Sequence, residues 1–184
     1  FKGSGVALVT PFDKNMNINY EKVEQLIQFH IANKTDAIIV CGTTGESATL
    51  CNDEKKELIK FVVKKAKDKI PVIAGTGSNN TKTACEMSKF AQDVGCDGIL
   101  VVTPYYNKAS QKGLIEHFTK IAKSASKTQM ILYNVPSRTG VDINVDSIYK
   151  LSKLSNIVGI KEASSDLSKI SKIINVCDND FFVY

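Results

Sequence analysis

Apolar residues along this chain follow two alternating rhythms. Short unbroken runs rich in β-branched residues occur at 5–9, 37–41, 71–74, 98–102, 129–133, 157–161 and 181–184. Between them, apolar positions recur at helical spacing. Over 20–34 they are Val23, Leu26, Ile27 and Ile31; over 53–69 they are Leu58, Ile59, Val62, Val63 and Ala66. Segments 81–94, 111–126, 144–155 and 167–177 behave alike, which predicts strands alternating with helices. Asn19, Asn52 and Thr81 are placed to cap three of the helices. The strand runs are continuous rather than alternating, as expected of parallel strands covered on both faces.

Two architectures satisfy this pattern: an open doubly wound sheet and a (β/α)8 barrel. The polar residues discriminate between them. Each of the first six strand runs ends in a polar, glycine-rich or proline-marked patch: Thr10-Pro11, GTTGES from Gly42, GTGSNN from Gly75, TPYYN from Thr103, YNVPSRTG from Tyr133 and KEASS from Lys161. In a barrel every strand C-terminus converges on one mouth, whereas an open sheet uses only those at its switch point. Decoration of all six favours the TIM barrel. That fold needs eight strands and about 250 residues. The 184 residues supply six βα units and the start of a seventh strand, FFVY. The expectation is a single domain over 1–184, an incomplete (β/α)8 barrel lacking its last βα units.

Composition narrows the function classes. The formal net charge is +5, but lysines are interspersed with 19 acidic residues and no basic stripe interleaves with aromatics. Nucleic-acid binding is not indicated. No run reaches membrane-spanning length. Five cysteines without a CxxC pair argue against a disulfide framework or zinc site, and for a reducing cytoplasm. With two histidines, His30 and His117, a metal site has few ligands. GTTGESAT lacks the Gly-Lys-Thr ending of a phosphate loop, and GTGSNN lacks the third glycine of a dinucleotide motif. Both loops suit a carboxylate held by backbone N–H groups equally well.

Candidate chemistry sits at the strand ends. Lys161 follows Ile157, Val158, Gly159 and Ile160, so it leaves an apolar strand rather than a polar surface. Partial desolvation there favours a neutral amine, the form that attacks a ketone to give a Schiff base; a lysine that merely begins a loop reads equally well. Tyr133 is either core with a satisfied hydroxyl or a proton relay. Thr43 and Thr44 offer hydroxyls for a carboxylate or a hydrogen-bonded chain, or simply make a turn. Paired Tyr105 and Tyr106 suggest packing against a partner. Arg138 is the one arginine among 24 lysines and arginines. Its place beyond Tyr133 suits a planar fork on a carboxylate, which lysine cannot imitate.

Taken in order, GTTGESATL, PVIAGTGSN, VTPYYNK, ILYNVPSRTG and VGIKEAS resemble the dihydrodipicolinate synthase family, and the resemblance runs over residues 1–184. It implies a lyase with a barrel fold in which Lys161 forms a Schiff base with pyruvate and Tyr133 shuttles protons. It further implies that Thr43 links Tyr133 to Tyr106, which reaches into a neighbouring subunit of a homo-oligomer, dimer or tetramer. Thr44 then holds the pyruvate carboxylate and Arg138 that of L-aspartate 4-semialdehyde. The implied product is 4-hydroxy-tetrahydrodipicolinate, in diaminopimelate and lysine biosynthesis, made without a cofactor. The family's last two βα units have no counterpart in the sequence, so the chain alone is expected to be inactive. Two alternatives are a related pyruvate aldolase, of the N-acetylneuraminate lyase or sugar-acid type, and a catalytically incompetent barrel fragment. Relatives of the aldolase kind lack an arginine in the motif that carries Arg138.

Overall fold

The structure is a computed structural model that describes residues 3–184. It contains the predicted alternation: β1 (Gly5–Ala7), α1 (Tyr20–Ala32), β2 (Ala37–Val40), α2 (Asn52–Ala66), β3 (Val72–Gly75), α3 (Thr81–Asp93), β4 (Gly98–Val102), α4 (Gln111–Ser124), β5 (Gln129–Asn134), α5 (Pro136–Thr139), α6 (Val145–Ser152), β6 (Ile157–Glu162), α7 (Leu167–Val176) and β7 (Phe182–Val183). Helix α5 is an element the periodicity does not predict. Four residues make one turn, too short to show a repeat, and Pro136 at its first position supplies the fixed φ that starts it.

The chain forms two compact units, residues 1–75 with 90–98, and residues 76–89 with 99–184. In the first, β2 lies between β1 and β3, parallel to both, with Val6 opposite Ile38 and Ile39 opposite Ile73. Val23 and Ile27 of α1, and Leu58, Ile59 and Val62 of α2, are buried with Ile38 and Val40. In the second, β4, β5, β6 and β7 follow one another. Tyr133 of β5 is the register partner of Lys161 of β6, and Asn134 that of Glu162. The β5–β6 register shifts between Met130 and Ile131, where Val158 is skipped. Leu114, Phe118 and Ile121 of α4, Ile148 and Leu151 of α6, and Ile173 of α7 are buried in this unit.

Helix starts follow the capping rule, with two departures from the predicted residues. Asn19 caps α1 as expected, its side chain accepting from the Lys22 N–H at 3.0 Å. Helix α2 is capped by Cys51, not Asn52: Glu54 N–H reaches the Cys51 sulfur, and the Glu54 carboxylate accepts from the Cys51 N–H at 2.7 Å. That is a capping box with a thiol in place of a hydroxyl. At α3 the Asn80 side chain accepts from the N–H groups of Lys82 and Thr83, so the cap is Asn80 and Thr81 is the first helical residue.

Candidate active site

The site is built on the ends of β5 and β6. Because Tyr133 and Lys161 are register partners on adjacent parallel strands, their side chains leave the sheet on one face at one level. The Lys161 amine stands 4.4 Å from the centroid of the Tyr133 ring. Tyr133 is buried and Lys161 is half-buried. An amine over an aromatic face, beside a phenol that can take or give a proton, is a pairing suited to carbonyl chemistry.

Past Tyr133 the chain turns through α5, which ends at Gly140 with φ of 69°. That left-handed conformation is one glycine adopts without strain. Arg138 lies on this turn, exposed; its backbone N–H donates to the Val135 carbonyl at 3.0 Å, and its side chain makes no hydrogen bond or ion pair among the described residues. The Thr139 hydroxyl donates to the carbonyls of Val135 and Val141, closing the loop on itself. The Thr139 carbonyl accepts from the Tyr106 N–H at 3.2 Å, tying the Arg138 segment to the loop after β4. Tyr106 is 89% exposed and holds φ of 75°. A bulky residue held there, with its ring in solvent, is an outlier of the kind that marks functional loops.

Thr43 and Thr44 lie in the first unit, exposed in the turn-rich loop after β2. The Thr43 carbonyl accepts from the Glu46 N–H at 3.0 Å, and the Thr10 hydroxyl donates to the Gly45 carbonyl at 2.7 Å. The loop is fixed by its backbone, which leaves both hydroxyls unused by these bonds. Within the second unit, Lys161 and Tyr133 stand in direct side-chain contact. Tyr106 is joined through backbone to Thr139, the neighbour of Arg138.

The sequence reading missed the polar cluster behind this pair. Asn134 and Glu162, one residue beyond Tyr133 and Lys161, project to the opposite face and are buried. Lys169 of α7 is 6% exposed and bridges Glu162 and Asp142. One signal was available: Lys169 falls four residues before Ile173, on the apolar face of its helix.

The sequence model of the Dihydrodipicolinate synthetase family fits residues 1–184, the whole chain. The chain belongs to the dihydrodipicolinate synthetase family. The 4-hydroxy-tetrahydrodipicolinate synthase of Clostridium perfringens is 53% identical over 184 residues, which are 100% of this chain and 62% of that protein. The same enzyme of Brachyspira hyodysenteriae is 54% identical over 176 residues, 96% of this chain and 60% of its own length. The crystal structure of dihydrodipicolinate synthase from Aquifex aeolicus superposes with a TM-score of 0.97 at 49% identity, over 100% of this chain and 62% of that one. The Acinetobacter baumannii synthase, crystallised with pyruvate, gives 0.95 at 44% identity, over 99% and 62%. The fold is thus the family's (β/α)8 barrel, of which these residues form the part through β7. The chain spans about 62% of the length of the curated relatives it matches.

Proposed function

We propose that the whole protein is a Schiff-base-forming synthase condensing pyruvate with L-aspartate 4-semialdehyde to 4-hydroxy-tetrahydrodipicolinate. The observation that carries this reading is the Lys161 amine over the Tyr133 ring at paired strand ends, in a chain of this family. The Lys161 nitrogen attacks the ketone carbon of pyruvate, and the carbinolamine loses water to give an imine. Tyr133 moves the protons of these steps. Loss of a methyl proton gives the enamine, whose carbon attacks the aldehyde and turns its oxygen into the 4-hydroxyl. The substrate amine then adds to the imine carbon, closes the ring and expels the lysine amine. One water is released in total. Thr44 holds the pyruvate carboxylate, Thr43 links the phenols, and Arg138 takes the semialdehyde carboxylate with its free guanidinium fork.

Tyr106, exposed on this chain, belongs in this reading to a contact with a second copy, in a dimer or tetramer. No helix among the described residues is long and apolar enough to cross a membrane. All five cysteines are free, which accords with a cytoplasmic enzyme.

The test is trapping. The complete polypeptide, incubated with pyruvate and borohydride, gains the mass of a reduced pyruvate adduct on Lys161, and Lys161→Ala does not. Equal labelling of both proteins, or labelling of neither, rejects the reading.

A further inference from the structure

The chemistry proposed above needs Tyr133 and Lys161 opposite each other, yet the strands that carry them are not in continuous register. Met130 pairs with Ile157 and Ile131 with Gly159. A shift of one residue would carry Lys161 to the other side of the sheet relative to Tyr133. Above that shift four pairs in register, Ile131–Gly159 to Asn134–Glu162, carry the site at their upper end, and any side-chain contact there adds to the hold of this short ladder.

The cluster behind the pair is built to do so. Asn134, fully buried, donates through Nδ2 to both carboxylate oxygens of Glu162 at 3.0 Å and to Oδ1 of Asp142 at 2.7 Å. Its Oδ1 accepts from the Ile143 N–H at 3.2 Å. This orientation of the amide is the one its partners allow, since the reverse would set an oxygen against two carboxylates. Glu162, whose side chain is wholly buried, also accepts from the Ser164 N–H at 2.8 Å. Lys169 Nζ is bonded to Asp142 and lies 3.4 Å from Glu162. A buried carboxylate needs such a cation and these donors to be tolerated. The cluster therefore joins three segments: the end of β5, the loop 139–143 that follows Arg138, and the end of β6 with α7.

We infer that Asn134, Glu162, Asp142 and Lys169 are positioning residues, a side-chain lock that holds Tyr133 opposite Lys161 and anchors the Arg138 loop. The inference rests on the Schiff-base reading. None of the four touches the reacting atoms. Their effect is on how often the amine and the phenol stand together.

The experiment measures the rate of borohydride trapping at saturating pyruvate in the complete polypeptide, per folded molecule. Glu162→Gln and Lys169→Met are expected to slow trapping about tenfold or more, since small misplacements of reacting groups carry penalties of that order. Lys169→Arg keeps the charge and is expected to trap faster than Lys169→Met. Half-saturating pyruvate changes less than the maximal rate. A merely structural role would lower the melting temperature and leave the rate per folded molecule unchanged; that outcome overturns the inference. If Lys169→Met does not fold, Glu162→Gln decides by the same readout. Failure of both to fold makes the cluster a folding element and also overturns it. Absence of trapping in the unaltered protein sinks the synthase reading and this inference together; trapping at one rate in all variants sinks this inference alone.

Discussion

Lys161 and Tyr133 are Cα partners across β5 and β6, and the lysine amine lies 4.4 Å from the tyrosine ring centroid. The ring and the hydroxyl have separable duties. In the proposed reaction the ring face places the amine, and the hydroxyl moves protons. Tyr133→Phe keeps the ring and the packing, so the thermal midpoint should hardly move. Imine trapping should nonetheless fall by roughly 10²–10⁴-fold, the usual worth of a positioned acid or base. Tyr133→Leu should lose both functions and stability as well. An unslowed Tyr133→Phe would assign the proton transfers to another group.

The Arg138 side chain is exposed and unpaired on α5 among the described residues, so its guanidinium is free for a ligand. Arg138→Lys retains the charge and loses the fork. The KM for L-aspartate 4-semialdehyde should rise about tenfold or more, the loss of one charge-assisted hydrogen bond. Half-saturating pyruvate should stay within about twofold, because the fork is assigned to the second substrate's carboxylate. Steady-state kinetics with each substrate varied in turn checks this, and an unchanged semialdehyde KM would remove the arginine from recognition.

The limits of the sequence reading follow from what each signal encodes. Buried parallel strands announce themselves as apolar runs, so β2, β4 and β5 fall within a residue of expectation. The end run, read as 181–184, is ordered as a strand over Phe182–Val183. Caps were legible as polar residues near helix starts. The true caps, Cys51 and Asn80, each lie one residue before the expected one, since a start is fixed by side-chain reach. The pairing of Tyr133 with Lys161 could be expected from two strand ends in succession. The lock behind it could not. Asn134, Asp142, Glu162 and Lys169 come from separate segments, and no local rhythm records a contact among them.

Gly159 sits two residues before Lys161 on β6 and is the register partner of Phe182. A Cβ there would stand 2.4 Å from the Phe182 carbonyl oxygen. That neighbour is backbone and cannot rotate away. Gly159→Ala should therefore unseat β7 or bend β6, destabilising the fold by about 1–3 kcal/mol or more. Denaturant unfolding measures the loss. A variant as stable as the parent would mean that β7 accommodates the methyl group by moving.

His117 gives a dependence on pH whose sign is fixed by its burial. It lies on α4, 5% exposed; Nδ1 shares a 2.8 Å hydrogen bond with the Thr81 hydroxyl, and Nε2 has no partner among the described residues. Desolvation disfavours the imidazolium and brings the folded-state pKa down to about 4, from 6.5. Between those values the unfolded chain binds a proton that the folded chain refuses. Stability from this group is therefore complete above pH 6.5 and is lost as pH falls towards 4. The full effect is on the order of 3 kcal/mol, at about 1.4 kcal/mol per unit. His117→Leu removes the titration and the unpaired nitrogen together. Denaturant titrations at pH 7.5, 6 and 4.5 (chosen to bracket the window, whose unfolded limit is about 6.5) should show the parent losing stability faster than the variant. Parallel pH slopes for the two proteins would show that His117 is already charged, or already solvated, in the folded state.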